Sequence, residues 1–112
     1  MIKLSNRYVV IVPSDFNDSG YSRELALRET EEFLAELVGG CTTSPAKGSY
    51  LNDSGVLVKE EVDIVFAYSD KDVADKLRAF AIEACKRWHQ ECVAIEHSNA
   101  LWLVSQDDQP VL

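Results

Sequence analysis

Residues 52–69 read NDSGVLVKEEVDIVFAYS, and this stretch decides the fold. Residues 52–55 are a turn signal, and residues 56–68 then alternate with the two-residue period of a β-strand. One face of that strand carries apolar and aromatic side chains with Glu60 among them. Because thirteen residues are many for one strand, we expect a bulge or bend near Glu60 and Glu61. The stretch predicts a hairpin whose second strand is unusually long.

Amphipathic helices flank this hairpin on both sides in the sequence. Residues 21–38 place apolar side chains at three- and four-residue steps and stop at Gly39 and Gly40, which is typical of a helix C-terminus. Residues 69–72 read SDKD and resemble a capping box. They open a second helix whose apolar stripe runs to Trp88.

Further strands are predicted on either side of the two helices. Residues 8–12 form a continuous β-branched run, typical of a central strand, and residues 41–50 an irregular edge strand. Residues 91–96 and 101–104 are the last two strands. The order matches the ferredoxin-like split βαβ plan, an α+β fold with an antiparallel sheet and two helices on one face. We expect one domain over residues 1–112, with residues 105–112 as a flexible tail.

The sheet face without helices carries apolar side chains in this scheme. We expect Leu57, Val65 and Ala67 to lie there, together with alternate residues of the first and last strands. Such a face is too apolar for water alone, and a second copy of the chain is the usual cover. The sequence therefore predicts a homo-oligomer, a dimer or larger.

The composition excludes several classes of protein. The chain has 112 residues, of which 46% are hydrophobic and 27% charged, an ordinary globular composition. Eleven basic and 19 acidic residues leave a formal charge of -8, which argues against binding nucleic acid or an anionic membrane. The apolar run at residues 8–12 is too short for a signal core or a membrane span. We expect a soluble, cytoplasmic protein.

The cysteines and histidines do not form a recognisable metal motif. Cys41, Cys85 and Cys92 lack CxxC spacing, and we expect free thiols in a reducing compartment. Neither His89 nor His97 lies where a zinc site would need it. The sequence also has no Walker A loop and no GxGxxG motif. We therefore expect neither a metal nor a cofactor.

A few polar and aromatic residues are candidates for a site. Glu60 lies in phase with apolar neighbours, where a carboxylate could act as a general base or a ligand anchor, unless a bulge turns it to solvent. His97 is a second acid-base candidate, expected to be exposed beside the turn at residues 98–99. Tyr50, Tyr68 and Trp102, with Glu60, are the candidates for binding a ligand.

Three short motifs, one before the long strand, one at its start and one after the second helix, resemble a known family. They are Gly48-Ser49-Tyr50, Gly55-Val56-Leu57-Val58 followed by Glu60 or Glu61, and Gln90-Glu91-Cys92-Val93. They resemble a family of small bacterial proteins of unknown function with a ferredoxin-like layout. The layout is also similar to that of the trimeric CutA and PII-type proteins, whose long hairpin reaches toward neighbouring subunits. The resemblance implies a fold and no established activity.

Three functions are compatible with these observations. The first is a non-catalytic binding module that oligomerises through its sheet face and holds a small apolar ligand or a protein partner. The second is a cofactor-free enzyme of the dimeric α+β barrel type, an oxygenase, isomerase or lyase, using Glu60 or His97 with a tyrosine hydroxyl. The third is an acidic inhibitor protein from a mobile element, which requires the acidic residues to form one continuous patch.

Overall fold

The computed structural model describes residues 1–109 and confirms the predicted α+β fold. In this part of the chain, two helices and five strands follow the order β-α-β-β-α-β-β. Their bounds are β1 Asn6–Val12, α1 Arg23–Val38, β2 Thr42–Leu51, β3 Leu57–Ser69, α2 Ala74–Arg87, β4 Val93–His97 and β5 Ala100–Val104.

The strands form one antiparallel sheet in the order β2-β3-β1-β4-β5. β1 is central, as its continuous apolar run predicts, and pairs with both β3 and β4. Tyr8, Val10 and Val12 point from β1 into the core beneath the helices. Phe33 of α1 and Phe80 of α2 stack with ring centroids 4.2 Å apart, which joins the two helices above the sheet.

The helix ends follow local capping chemistry only in part. The hydroxyl of Ser22 accepts a hydrogen bond from the backbone N–H of Leu25 and caps α1. α1 ends at Gly39, whose φ of 101° is the left-handed conformation that glycine adopts without strain. The predicted capping box does not open α2, because its N-cap is Val73 and makes no side-chain hydrogen bond.

The two faces of β3 are reversed relative to the sequence-based expectation. Val65 and Ala67 point into the core beneath the helices, and Asp63 shares their side of the strand. Val62, Ile64 and Phe66 therefore lie on the helix-free face. Both sets are apolar enough to form a core, so the alternation of the sequence does not distinguish them. The helix-free face is nonetheless apolar, as predicted.

β3 continues without a bulge at Glu60 and Glu61, so the predicted bulge is wrong. These two residues pair with Gly48 and Lys47 of β2 in an unbroken register. β1 pairs only with residues 63–69 of β3 in the described chain. Residues 46–51 and 57–62 therefore extend past β1 as a two-stranded ribbon, here called the arm. The arm lengthens the molecule to 49 Å, against 27 Å in the other directions.

The described chain ends just after β5. Of the predicted flexible tail, residues 105–109 include a turn in which the Asp108 carboxylate accepts from the backbone N–H of Ser105 at 2.7 Å. Residues 110–112 lie outside the described residues. Neither helix in residues 1–109 is long and apolar enough to cross a membrane.

Candidate functional site

The helix-free face contains a depression of about 470 Å³ at the point where β1 stops. Ile11 and Pro13 form its floor. Beyond Val12, β3 continues on one side as the arm, while β4 begins on the other side. A gap therefore opens between β3 and β4, two strand spacings or about 10 Å wide at the backbone. We call this depression the notch; it is lined by Ile11, Pro13, Tyr50, Glu60, Val62, Glu91, Cys92, Ala94 and Leu103.

The arm supplies one wall of the notch and brings together two of the predicted site residues. Glu60 lies opposite Gly48, and a Cβ placed on Gly48 would be 3.8 Å from the Cγ of Glu60. The side chain of Glu60 therefore lies over Gly48 of the neighbouring strand β2. Tyr50 is the next residue of β2 on the same face and is 52% exposed. The wall therefore presents a carboxylate and an aromatic ring side by side.

The opposite wall is formed by the start of β4 and by β5. Glu91 and Cys92 precede β4, and Leu103 of β5 pairs with Ala94. Desolvation raises the pKa of the Cys92 thiol, and the Glu91 carboxylate raises that pKa further. The thiol is neutral at ordinary pH and is therefore a poor nucleophile.

Gln90, the residue before this wall, has a structural role. The side-chain amide of Gln90 donates to the backbone oxygen of Asp15 at 2.8 Å and to that of Trp88 at 2.9 Å. These bonds hold the loop after β1 against the end of α2. Gln90 thereby helps to position the floor and one wall of the notch.

The rest of the helix-free face is partly covered by its own side chains. The Arg7 guanidinium lies 5.5 Å from the ring centroid of Phe66, and its Nη1 is 3.1 Å from the Oε1 of Glu96. Phe66 and Glu96 both pair with Val9, which is fully buried. Arg7 therefore spans β3 and β4 at this end of the sheet.

His97 and Trp102 lie together on the other side of the sheet, away from Glu60. His97 is 3% exposed, so the expectation of an exposed histidine is wrong. Its ring stacks on Trp102 with centroids 5.0 Å apart, and its Nε2 is 3.0 Å from the Nη1 of Arg78. Burial lowers the pKa of His97, and the Arg78 charge lowers it further, against smaller opposite effects of Asp72 and Asp75.

Tyr68 is separate from the other candidates. It is on the helix-free face, but eight residues of β3 place it about 26 Å from Glu60. Its ring makes an edge-on contact with Phe66, with centroids 6.4 Å apart. Of the five residues singled out in the sequence, the structure brings Tyr50 and Glu60 into one site. Leu103 and Ile11 complete that site, and no sequence motif marks either of them.

The acidic residues of α1 and the arm are interleaved with arginines. Glu29 is paired with Arg87, and Glu61 with Arg23 at 3.1 Å. This arrangement counts against the continuous acidic patch that an inhibitor would need. Among residues 1–109, no group of three or more His, Cys, Asp or Glu side chains is placed to hold a metal ion.

Solved structures with the same fold are described as phage enzymes. A phage SAM lyase in complex with S-methyl-5'-thioadenosine superposes with a TM-score of 0.64 at 16% identity, covering 93% of this chain and 94% of that one. A phage SAM lyase in its apo state gives a TM-score of 0.63 at 18% identity, covering 97% and 98%. At these identities the likeness shows a shared fold along almost the whole chain.

The other comparisons add no relative. No protein-family model matches the chain, and no curated protein matches it. The ferredoxin-like layout thus agrees with the structure, whereas the resemblance to the bacterial family of unknown function is not confirmed.

These comparisons correct the first functional interpretation. A non-catalytic binding module was the main expectation from the sequence, and it is wrong, because two solved structures with the same fold are described as phage SAM lyases. The enzyme alternative is the better supported interpretation. It also required a cavity containing Glu60 or His97 with a tyrosine, and the notch contains Glu60 and Tyr50.

Proposed function

We propose that the chain is a lyase that cleaves S-adenosylmethionine (SAM), a sulfonium cation, in the notch. The observation that carries the proposal is that Glu60 and Tyr50, which share one face of the arm, line the same depression as the apolar residues Ile11 and Pro13. The full-length fold likeness to phage SAM lyases supports the same assignment.

The chemistry of the notch suits this substrate. A sulfonium cation is attracted by a carboxylate and by the face of an aromatic ring, and the arm wall presents both. The adenosine part is largely apolar on its faces and suits the floor and Leu103. The volume of about 470 Å³ is within the common range for small-molecule sites. The net charge of -8 also favours the approach of a cation.

The proposed reaction balances without a co-reactant. The bond between the sulfonium sulfur and the γ carbon of the amino-acid part breaks, and its electron pair goes to sulfur. Sulfur leaves as the neutral thioether S-methyl-5'-thioadenosine. The γ carbon receives an electron pair from its own fragment, either from the carboxylate, which closes a ring, or from a neighbouring C–H bond, whose proton is then lost.

The side chains of the arm wall have distinct roles in this proposal. Glu60 holds the cationic part of the substrate by charge. Where the C–H route is used, its carboxylate is also the group placed to accept the proton. Tyr50 covers the sulfonium with its ring and offers a hydroxyl for hydrogen bonding. Once sulfur becomes neutral the attraction to Glu60 disappears, which favours release of the thioether.

We also propose that copies of the chain associate through the helix-free face and the arm. An isolated two-stranded ribbon is marginally stable in water. Large, exposed apolar side chains nevertheless lie at the end of the arm and in its turn: Tyr50, Leu51, Val56 and Leu57. A second copy that packs against them removes this surface from water. The free thiols fit the cytoplasmic location that we include in the proposal.

The test is direct turnover. Purified protein is incubated with SAM, and S-methyl-5'-thioadenosine is measured by chromatography and mass spectrometry. Glu60→Gln keeps the shape of the side chain and removes its charge, so we expect kcat/KM to fall by at least ~100-fold. Glu61→Gln is the matched control, because Glu61 is the next residue and points to the other face.

The outcomes of this experiment separate clearly. We expect the control to keep nearly the wild-type rate. The proposal is overturned if the wild-type protein forms no thioether from SAM, or if Glu60→Gln and Glu61→Gln have equal rates.

A further inference from the structure

We infer that His97 is a pH-sensitive latch that holds the β4–β5 hairpin against α2. The inference goes beyond the proposed reaction and does not depend on it. It rests on the contacts that one buried imidazole makes with three parts of the fold: helix α2, the turn after β4, and strand β5.

The contacts of His97 require the neutral ring. Arg78 of α2 carries only donors, so its Nη1 donates to Nε2 of His97 at 3.0 Å. Nε2 is then an acceptor, and the proton of the neutral imidazole is on Nδ1. Nδ1 lies 3.0 Å from the hydroxyl of Ser98 and donates to it. The hydrogen-bond partners therefore define one tautomer.

The same residue anchors β5. The His97 ring stacks on Trp102 with an interplanar angle of 10°, and the indole N–H of Trp102 donates to the His97 backbone oxygen at 3.2 Å. Ser98 and Asn99, which join the strands, have φ values of 53° and 59°. Two non-glycine residues in left-handed conformations make the turn strained, so its geometry depends on these surrounding contacts.

Protonation of His97 opposes this arrangement. A second ring proton on Nε2 would face the Arg78 guanidinium, which places two donors and two positive charges 3.0 Å apart. Other charged groups surround the pair. Asp75 of α2 is ion-paired with Arg78, and Asp72 precedes α2. Asp108, after β5, lines the same depression as Arg78. The two aspartates near α2 favour the charged ring, and they are outweighed by burial and by Arg78.

The direction of the pH effect follows from this balance. The pKa of His97 in the folded chain is lowered from its ordinary value of 6.5. The unfolded chain therefore binds a proton first as the pH falls. The stabilisation by the latch is complete above pH 6.5 and is lost as the pH falls through the folded pKa. Below that pH the Arg78 contact breaks, and β5 separates from α2.

The release would reach the candidate site through β5. Trp102 faces α2, while its neighbour Leu103 points to the other side of the sheet and lines the notch. Loosening of β5 therefore changes one wall of the notch.

The experiment follows the histidines and β5 in the full-length protein. NMR titration of the imidazole C–H signals resolves the chain's two histidines, His89 and His97. Amide exchange measures protection in β5, expressed as protection factors so that the intrinsic pH dependence is removed. Emission of Trp102 is recorded in parallel on the Trp88→Phe variant, because the chain has two tryptophans. We expect His97 to titrate below 6.5, with β5 protection falling at least tenfold and Trp102 emission changing at the same midpoint.

Substitutions of the two histidines and of Arg78 test whether His97 causes the pH transition of β5. His89→Gln removes the exposed histidine and should leave the β5 transition unchanged. His97→Gln removes the titrating group and should abolish the transition. If that variant does not fold, Arg78→Gln tests the same contact, because loss of the guanidinium charge should raise the midpoint. The inference is overturned if His97 titrates at or above 6.5, or if β5 protection is constant across its titration.

Discussion

The guanidinium of Arg23 in α1 donates two parallel hydrogen bonds to the carboxylate of Asp63 in β3, from Nε to Oδ2 at 2.7 Å and from Nη2 to Oδ1 at 3.1 Å. The Asp63 residue is 5% exposed, on the side of the sheet that packs under the helices. The carboxylate raises the pKa of the guanidinium above its ordinary value, so the arginine is charged at every accessible pH. This pair explains how an acidic residue is accommodated next to the core.

The pair predicts an asymmetric response to mutation. Arg23→Met leaves the buried carboxylate of Asp63 without its partner, whereas Asp63→Asn leaves a half-buried guanidinium that still contacts Glu61 at 3.1 Å. An unpaired buried charge is the costlier defect. We therefore expect the midpoint of thermal unfolding to fall further in Arg23→Met than in Asp63→Asn. Differential scanning calorimetry at pH 7 measures both, and an equal or reversed order contradicts the prediction.

We expect one substitution in the core, Trp88→Phe, to be nearly neutral for stability. The ring of Trp88 is fully buried against Phe16 and Phe80, yet its Nε1 has no hydrogen-bond partner in residues 1–109. Trp88→Phe removes this unsatisfied donor, which regains about 1–3 kcal/mol, while the lost ring volume costs a similar amount. Denaturant unfolding should show a change within about 1 kcal/mol. A loss typical of Trp→Ala in a core would contradict this interpretation.

The element order was predictable because each segment has its own period and stop signals. Which face of β3 packs under the helices was not predictable, because the face with Val62 and the face with Val65 suit the core equally well. On the face that is buried, Asp63 is accommodated by Arg23, a contact between residues forty positions apart. Local alternation contains no information on such a contact.

The candidate site was predictable only in its arm wall. Tyr50 and Glu60 stand out as residues that are unusual for their surroundings. The opposite wall depends on where β1 ends relative to β4, which is set by strand register. The burial of His97 was not predictable for a related reason. Only the packing of α2 brings Arg78 to this histidine beside a turn.

The arm predicts a simple test of association. Leu51→Glu with Leu57→Glu places two like charges on a cross-strand pair at its end. If copies of the chain cover this surface, sedimentation should show that the variant is a monomer where the wild-type chain is an oligomer. Leu25→Glu is the control, since Leu25 is also an exposed leucine but lies on α1. A wild-type monomer at micromolar concentration contradicts the proposed association.

A pair of leucines, Leu103 and Leu101, tests how charge in the notch affects the proposed reaction. The two leucines lie on the same face of β5, with exposures of 65% and 58%, but only Leu103 lines the notch as the structure describes it. Leu103→Arg places a cation opposite Glu60, where it repels a sulfonium substrate and competes for the carboxylate. We expect KM for SAM to rise at least tenfold, about 1.4 kcal/mol of lost binding. Leu101→Arg adds the same charge to the same strand outside the notch and should change KM less than threefold. Equal effects of the two substitutions, measured at constant ionic strength, would show that net charge rather than the notch controls binding.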